Sequence, residues 1–271
     1  MRAFAAAIAV AGLAACAKPV PPPAGPNVVR MMATEYAFGM PDTLPAGLTT
    51  FQLVNGGQEP HHAVLVRLTE EHPMADVMAA IESPTPPAWV QLATAPNQAA
   101  PGDSSNTTTI LEPGHYVVIC FLPAADGTPH VAKGMMKEFH VTGTVPAEAA
   151  LPAADVTITL KDYEFVLSTP LTAGTHTIRV ENAGPQWHEV GIERLAEGKT
   201  MADYQAWAAA PQGPPPTRPM GGVIGPAPGG RPATFTVTLA PGTYLLTCFV
   251  PDSGDQKPHV AHGMLQEIVI N

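Results

Sequence analysis

Two stretches of the sequence carry a thiol, an imidazole and a thioether in the same order. The first, CFLPAADGTPHVAKGM, runs from Cys120 to Met135, and the second, CFVPDSGDQKPHVAHGM, runs from Cys248 to Met264. A thiolate, two imidazoles and a weak axial thioether form a site that suits copper cycling between two oxidation states. The repeated pattern therefore predicts two metal sites of the same kind, each lacking one imidazole that must come from elsewhere in the chain.

The missing imidazoles are predicted in Asn/Gly-rich turns earlier in the chain. The stretch FQLVNGGQEPHHAV (51–64) matches IRVENAGPQWHEV (178–190), and this match pairs His62 with His188 and His61 with Trp187. Because an indole does not bind copper, His62 is favoured and His61 remains the alternative. The predicted ligands are His62, Cys120, His130 and Met135 in the first half and His188, Cys248, His259 and Met264 in the second.

Two alternative hypotheses do not involve a metal. In an oxidising compartment a disulfide is the common fate of paired cysteines. Cys120 and Cys248 end apolar runs in different halves of the chain, which disfavours a bridge between them. The other alternative is a fold that has lost its metal, and the presence of all eight ligand positions argues against it.

The remainder of the chain also matches itself in register, which predicts two copies of one fold. We assign residues 28–142 and 155–271 to the two domains and 143–154 to the linker. Short apolar or alternating runs bounded by Pro, Gly and Asn predict many strands, and therefore a β-sandwich or barrel. One short helical insert is expected in each copy, near MADVMAAI and MADYQAWAAA.

With these motifs in place, the chain resembles a tandem cupredoxin, the blue-copper family of plastocyanin, azurin and the copper nitrite reductases. The wording PHVAKGM is similar to the type 1 copper domain of the nitrite reductases. The resemblance covers nearly all of the chain after residue 27. It implies an all-β protein of two Greek-key β-sandwich domains, two type 1 copper sites and one-electron transfer.

Enzymes of this superfamily place a His beside the copper-binding Cys and so connect it to a second, catalytic copper. Here the neighbours are Ile119 and Phe121 in one half and Thr247 and Phe249 in the other, and the sequence contains no His-x-His pair. We therefore expect an electron carrier rather than an oxidase or nitrite reductase. Copper storage or delivery is the alternative function. We expect electrons to pass through a surface edge of His130 and His259.

The N-terminus predicts a location at the bacterial cell envelope. MRAFAAAIAVAGLAAC resembles a lipoprotein signal peptide over residues 1–16, with Cys16 as the lipidated residue; an ordinary secretory signal is the alternative. The Pro-rich residues 17–27 are expected to be a tether that holds the domains on the periplasmic side of a membrane.

The charge pattern restricts the partners. The net charge of −10 and the lack of a basic patch disfavour nucleic acid. The expected partner is a redox protein, such as a basic cytochrome or an envelope oxidoreductase, and the expected membrane contact is the lipid anchor.

Overall fold

The computed structural model describes residues 25–81, 83, 86–210 and 213–271. The predicted signal peptide, Cys16 and the tether up to residue 24 lie outside the described residues. Among the helices of the described ranges, none has the length and apolarity needed to cross a membrane.

The first half of the chain forms two sheets. This half has ten strands, of which all but β7 belong to these two sheets: β1 (Asn27–Thr34), β2 (Ala37–Gly39), β3 (Thr43–Pro45), β4 (Gly47–Asn55), β5 (Val64–Leu68), β6 (Val90–Ala93), β7 (Ala95–Pro96), β8 (Ser104–Leu111), β9 (Gly114–Ile119) and β10 (Met136–Thr142). One sheet has the order β8-β4-β1-β2 and the other β3-β10-β9-β5-β6. The helix α1 (Met74–Ile81) lies between β5 and β6, and a 3-10 turn (His130–Lys133) precedes β10.

The second half is built in the same way. Its strands are β11 (Val156–Lys161), β12 (Glu164–Leu167), β13 (Gly174–Asn182), β14 (Glu189–Leu195), β15 (Thr217–Ile224), β16 (Ala233–Leu239), β17 (Gly242–Thr247) and β18 (Leu265–Ile270). The helix α2 (Met201–Ala209) follows β14, and a 3-10 turn (His259–His262) precedes β18. The prediction of an all-β protein with one short helix in each half is confirmed.

Side-chain alternation explains why these segments are strands. Along β4 the burial alternates, so that Phe51 and Leu53 are fully buried while Gln52 between them is exposed. This period of two is what a sheet with one face on a core requires. Cys120 and Met135 belong to the core of the first half, and Cys248 and Met264 belong to that of the second.

The two halves also share sheets, which the sequence did not predict. Strand β7 of the first half pairs with β15 of the second, and Thr108 of β8 pairs with Thr234 of β16. Asn106 reinforces this second junction, because its side chain donates to the Thr236 carbonyl (2.8 Å) and accepts from the Thr236 N–H (2.9 Å).

Candidate metal centres

Three side chains of the first half converge on one buried point. His61 lies in the loop between β4 and β5, Cys120 directly follows β9, and His130 begins the 3-10 turn before β10. The Nδ1 atoms of the two imidazoles are 3.2 Å apart, and the Cys120 Sγ lies 3.4 Å from the His130 Nδ1. All three residues have no exposed surface. One cysteine and two histidines therefore direct their ligand atoms at one another inside a core.

The structure corrects the choice between the two neighbouring histidines. His61, not His62, lies in the group with Cys120 and His130. The Nε2 of His62 instead accepts a hydrogen bond from the Phe121 N–H (2.8 Å). The His62 ring therefore supports the backbone just after the cysteine, and its acceptor atom is not directed at the group.

The second half brings its three predicted residues together. The Nδ1 atoms of His188 and His259 are 3.1 Å apart, and the Cys248 Sγ lies 3.5 Å from the His259 Nδ1. These residues also have no exposed surface. Neither Cys120 nor Cys248 is in a disulfide.

A buried asparagine shapes the loop that holds the first histidine of each group. The side chain of Asn55 donates to the carbonyls of Glu59 (2.8 Å) and Ala99 (2.9 Å) and accepts from the Gly57 N–H (2.8 Å). Asn182 makes the same three kinds of bond, to Gln186, Pro226 and Gly184. A turn closed by three hydrogen bonds fixes where the chain turns back toward the core.

The glycine two residues after each asparagine leaves room for the imidazole. A Cβ on Gly57 would lie 2.9 Å from the His61 Nε2, and one on Gly184 would lie 2.9 Å from the His188 Nε2. Real Cβ atoms do not approach nitrogen this closely, so a larger residue would displace the histidine.

Backbone hydrogen bonds place the methionine beside the cysteine. The Met135 N–H donates to the His130 carbonyl (3.0 Å), and the Cys120 N–H donates to the Met135 carbonyl (3.2 Å). Both Met135 and Met264 are fully buried. The glycine before each methionine, Gly134 or Gly263, has a φ near +100° and ends the 3-10 turn. A Cβ at either glycine would meet nothing within 4 Å, so the glycine supplies a left-handed conformation rather than a close approach.

Carboxylates that the sequence analysis did not assign to the sites contact the outer nitrogens of the histidines. In the first half, the Glu59 Oε2 lies 3.0 Å from the His130 Nε2. In the second, the Asp162 Oδ1 lies 2.9 Å from the His188 Nε2, and the Asp252 Oδ2 is 3.7 Å from the His259 Nε2. An Nε2–H donating to a carboxylate leaves Nδ1 unprotonated and directed inward, as a metal ligand requires. Glu59 lies next to the Asn turn and Asp252 lies in the Cys loop, whereas Asp162 lies between β11 and β12, in the stretch DYEF that repeats EYAF of the first half.

Two outer nitrogens lack this support. The Nε2 atoms of His61 and His259 are buried and have no hydrogen-bond partner among the described residues. Each site thus has one histidine held by a hydrogen-bonded carboxylate and one that is not.

The burial of the groups sets their protonation. Burial raises the pKa of the Cys120 thiol to about 11 and also raises that of Cys248. Burial, followed by the nearby His130, lowers the pKa of His61 to about 4, and burial lowers the pKa of His188 and His259. These histidines are therefore neutral at neutral pH, which is the metal-binding form, whereas each thiol must release a proton when a metal binds.

The distances fit a shared ion. Two nitrogens about 2.0–2.1 Å from a metal at tetrahedral angles lie about 3.3–3.4 Å apart, and such a nitrogen lies about 3.5–3.6 Å from a sulfur about 2.3 Å from the metal. The observed Nδ1–Nδ1 separations of 3.2 and 3.1 Å and the Sγ–Nδ1 separations of 3.4 and 3.5 Å lie close to these values.

The structure overturns the expectation of an exposed histidine edge. His130 and His259 have no exposed surface. Tyr36 packs edge-on against His130, and Tyr163 packs edge-on against His259, with ring centroids 5.2 and 5.4 Å apart. A tyrosine and a carboxylate therefore lie against each of the two histidines that were expected to reach the surface.

Comparison with known proteins gives structural likeness only. No protein-family model and no curated protein sequence matches this chain. The chain is similar to the dithionite-reduced auracyanin of Roseiflexus castenholzii (23% identity, 45% of this chain, 100% of that chain, TM-score 0.32). It is also similar to auracyanin A, a blue copper protein of Chloroflexus aurantiacus (18% identity, 44% of this chain, 100% of that chain, TM-score 0.32). A third similar structure is the copper nitrite reductase of Nitrosomonas europaea (12% identity, 91% of this chain, 94% of that chain, TM-score 0.25). The chemistry of both centres rests on the residues described above.

Proposed function

We propose that this chain is a tandem cupredoxin that transfers single electrons through two type 1 copper sites. One observation carries the proposal: each half contains a fully buried set of two histidines and one cysteine whose ligand atoms converge. A buried methionine next to each set is in place as the weak fourth ligand.

The residues that would hold copper are His61, Cys120, His130 and Met135 in one site and His188, Cys248, His259 and Met264 in the other. Copper held by such a set supplies a reversible one-electron couple. The chain's own contribution is positioning, because backbone hydrogen bonds and the Asn turns place the donors around each point. A rigid, dry site limits the rearrangement that accompanies a change of oxidation state.

The donor sets favour electron transfer over substrate turnover. A catalytic metal centre needs an open coordination position. Here three strong donors and a methionine surround each point, and all of them are buried. The cysteines also have no neighbouring histidine that could serve a second copper.

The location and partner are further parts of the proposal. The LAAC motif and the Pro-rich stretch after it support lipidation of Cys16 and attachment to a membrane on the periplasmic side. The net charge of −10 supports a basic redox partner such as a cytochrome. Asp126, in the loop between Cys120 and His130, pairs with Lys133 (2.6 Å). The overall negative charge therefore supports a basic partner better than the carboxylate of that loop does.

Copper titration of the purified chain, with metal counting and visible absorption, tests the function. We expect two coppers per chain, an intense thiolate-to-copper band, and a loss of about half of that band in C120S and in C248S, because each variant removes one of two sulfur ligands. A folded chain that binds no copper contradicts the proposal. Rapid transfer of Cu(I) to a chelator would favour storage or delivery, and sustained consumption of dioxygen or nitrite would favour an enzyme.

A further inference from the structure

Residues 95–99 contact both halves of the molecule. Ala95 and Pro96 pair with Ile224 and Val223 of β15 in the second half. Three residues after Pro96, Ala99 exchanges two backbone hydrogen bonds with His61, of 3.2 and 2.9 Å. This short segment therefore pairs with the sheet of the second half and also holds His61, a histidine of the first half's centre.

Asn97 extends this segment to the second centre. Its N–H donates to the Gly222 carbonyl (3.1 Å), and its side-chain amide donates to the Glu189 Oε2 (3.2 Å). Glu189 directly follows His188 in the chain. Asn97 is 4% exposed and Glu189 is 8% exposed, so the contact lies inside the protein. A continuous path of covalent and hydrogen bonds therefore runs from His61 through Ala99, Asn97 and Glu189 to His188.

Glu189 is also bonded to the cysteine side of its own centre. Its Oε1 accepts from the Phe249 N–H (2.8 Å), and its own N–H donates to the Cys248 Sγ (3.4 Å). The Glu189 carboxylate thus contacts Phe249 with one oxygen and Asn97 of the first half with the other.

The first half shows why a glutamate is needed here. His62 occupies the corresponding place and accepts from the Phe121 N–H through its Nε2. A neutral imidazole has a single acceptor nitrogen, whereas a carboxylate has two oxygens. The histidine can satisfy the N–H after the cysteine, but only the carboxylate can do this and also reach the other half.

We propose that Asn97 and Glu189 connect the two centres, and that one electron passes between the centres within a single chain along this path. The inference rests on the proposed function. In the transfer one centre is oxidised by one electron and the other is reduced by one electron, with no bond formed and no proton released. The histidines at both ends of this path are buried, as are Asn97 and Glu189 within it. These groups are therefore joined through bonded atoms inside the protein rather than through solvent.

The variant E189H gives a matched test, since it installs the residue that the first half uses. It keeps an acceptor for the Phe249 N–H and removes the contact with Asn97. N97A breaks the same contact from the other side. H62E is the control, because it places a carboxylate where no interdomain partner is found. In the metal-free parent, E189H and H62E, NMR of the Asn97 side-chain amide shows whether the contact is lost, and in all variants exchange of the Phe249 amide shows whether the fold is kept.

The transfer itself is measured in copper-loaded chains that carry M264Q, because a changed axial ligand separates the potentials and spectra of the two centres. After reduction by less than one electron per chain, we expect a redistribution phase whose rate does not depend on protein concentration. This phase should be severalfold slower in E189H and N97A, unchanged in H62E, and absent in C248S, when the rates are compared at the same driving force, taken from the two potentials measured in each variant.

Two results would overturn the inference while leaving the proposed function intact. One is a redistribution as fast in E189H and N97A as in their parent. The other is a rate in the parent that rises in proportion to protein concentration, since that is transfer between molecules. A chain without the copper–thiolate band would instead contradict the proposed function itself.

Discussion

Substituting the adjacent histidines His61 and His62 one at a time separates metal binding from structural support. The Nδ1 of His61 lies 3.2 Å from that of His130 and is directed at the shared point, whereas the Nε2 of His62 accepts from the Phe121 N–H. H61A removes one of three strong donors from one of two centres. We expect copper stoichiometry to fall from two to one and the thiolate band to fall by about half.

H62A should have the opposite pattern. It leaves the Phe121 N–H without its acceptor in a partly buried position, and such a loss costs about 1–3 kcal/mol in the free energy of unfolding. The donor set itself is untouched, so two coppers and the full band should remain. H62E provides the matched control, because Glu189 makes the equivalent bond in the second half with one oxygen.

Metal counting and visible absorption give the copper stoichiometry and the thiolate band, and urea unfolding of the metal-free protein gives the free energy of unfolding. H61A is also expected to lower stability, so only the metal readout distinguishes the two positions. If H62A lost a copper while H61A kept both, the assignment of His61 would be wrong, and so would the argument from the direction of the imidazole nitrogens.

Three further predictions concern pH, packing and metal removal. Burial raises the pKa of Glu193 above its ordinary value of 4.5, so the folded state holds more protons than the unfolded one above that pH. The free energy of unfolding should therefore fall as the pH rises above 4.5, and its dependence on pH, measured by urea unfolding, should be weaker in E193Q. G184A would place a Cβ 2.7 Å from the Asp162 Oδ1 and 2.9 Å from the His188 Nε2, and should weaken copper binding at the second centre only, as titration would show. Chelation of copper should lower the melting temperature of the parent, and the shift should be smaller in C120S and C248S; a shift of equal size in all three would contradict binding at these cysteines.

Much of this architecture could be predicted from the sequence because its signals are local. Alternating strands such as β4 show their period of two directly, and the cysteine, histidine and methionine of each last loop lie close together in the chain. Ordinary turn and strand chemistry then brings them together. The same locality explains why Cys120, His130 and Met135, three of the four proposed ligands in the first half, could be predicted without long-range information.

The prediction of His62 is wrong because it matches the two halves one residue out of place. Pairing His62 with His188 aligns the valine of HHAV with that of WHEV. In the structure Val64 pairs with Ile119, the residue before Cys120, whereas Gly191 pairs with Thr247, the residue before Cys248. Gly191 rather than Val190 is thus the counterpart of Val64, and a one-residue slip in a strand reverses which side chain faces the core. Aligning Asn55 with Asn182, the asparagine that both halves contain, gives the correct match, since the hydrogen bonds of this residue fix the loop.

The features that sequence reasoning missed are contacts between distant segments. The exchange of β7 into the second half's sheet depends on how two folded domains pack, and no pattern within residues 95–99 indicates it. Asp252 accepts from the Gly254 N–H (2.7 Å), as an aspartate in a Gly-containing turn commonly does. Its second oxygen nevertheless lies near His259, so one side chain serves both the turn and the centre.

The two centres share one set of donors but differ in the carboxylates around it. In the first, Glu59 holds the histidine of the last loop, His130; in the second, Asp162 holds the histidine of the Asn turn, His188. Hydrogen bonds to metal-bound histidines raise the basicity of the ligand and tune the metal. Two centres with their charged partner on different histidines are therefore expected to differ in reduction potential. A difference in potential gives transfer along the Asn97–Glu189 path a direction, which two identical copies of one domain would lack.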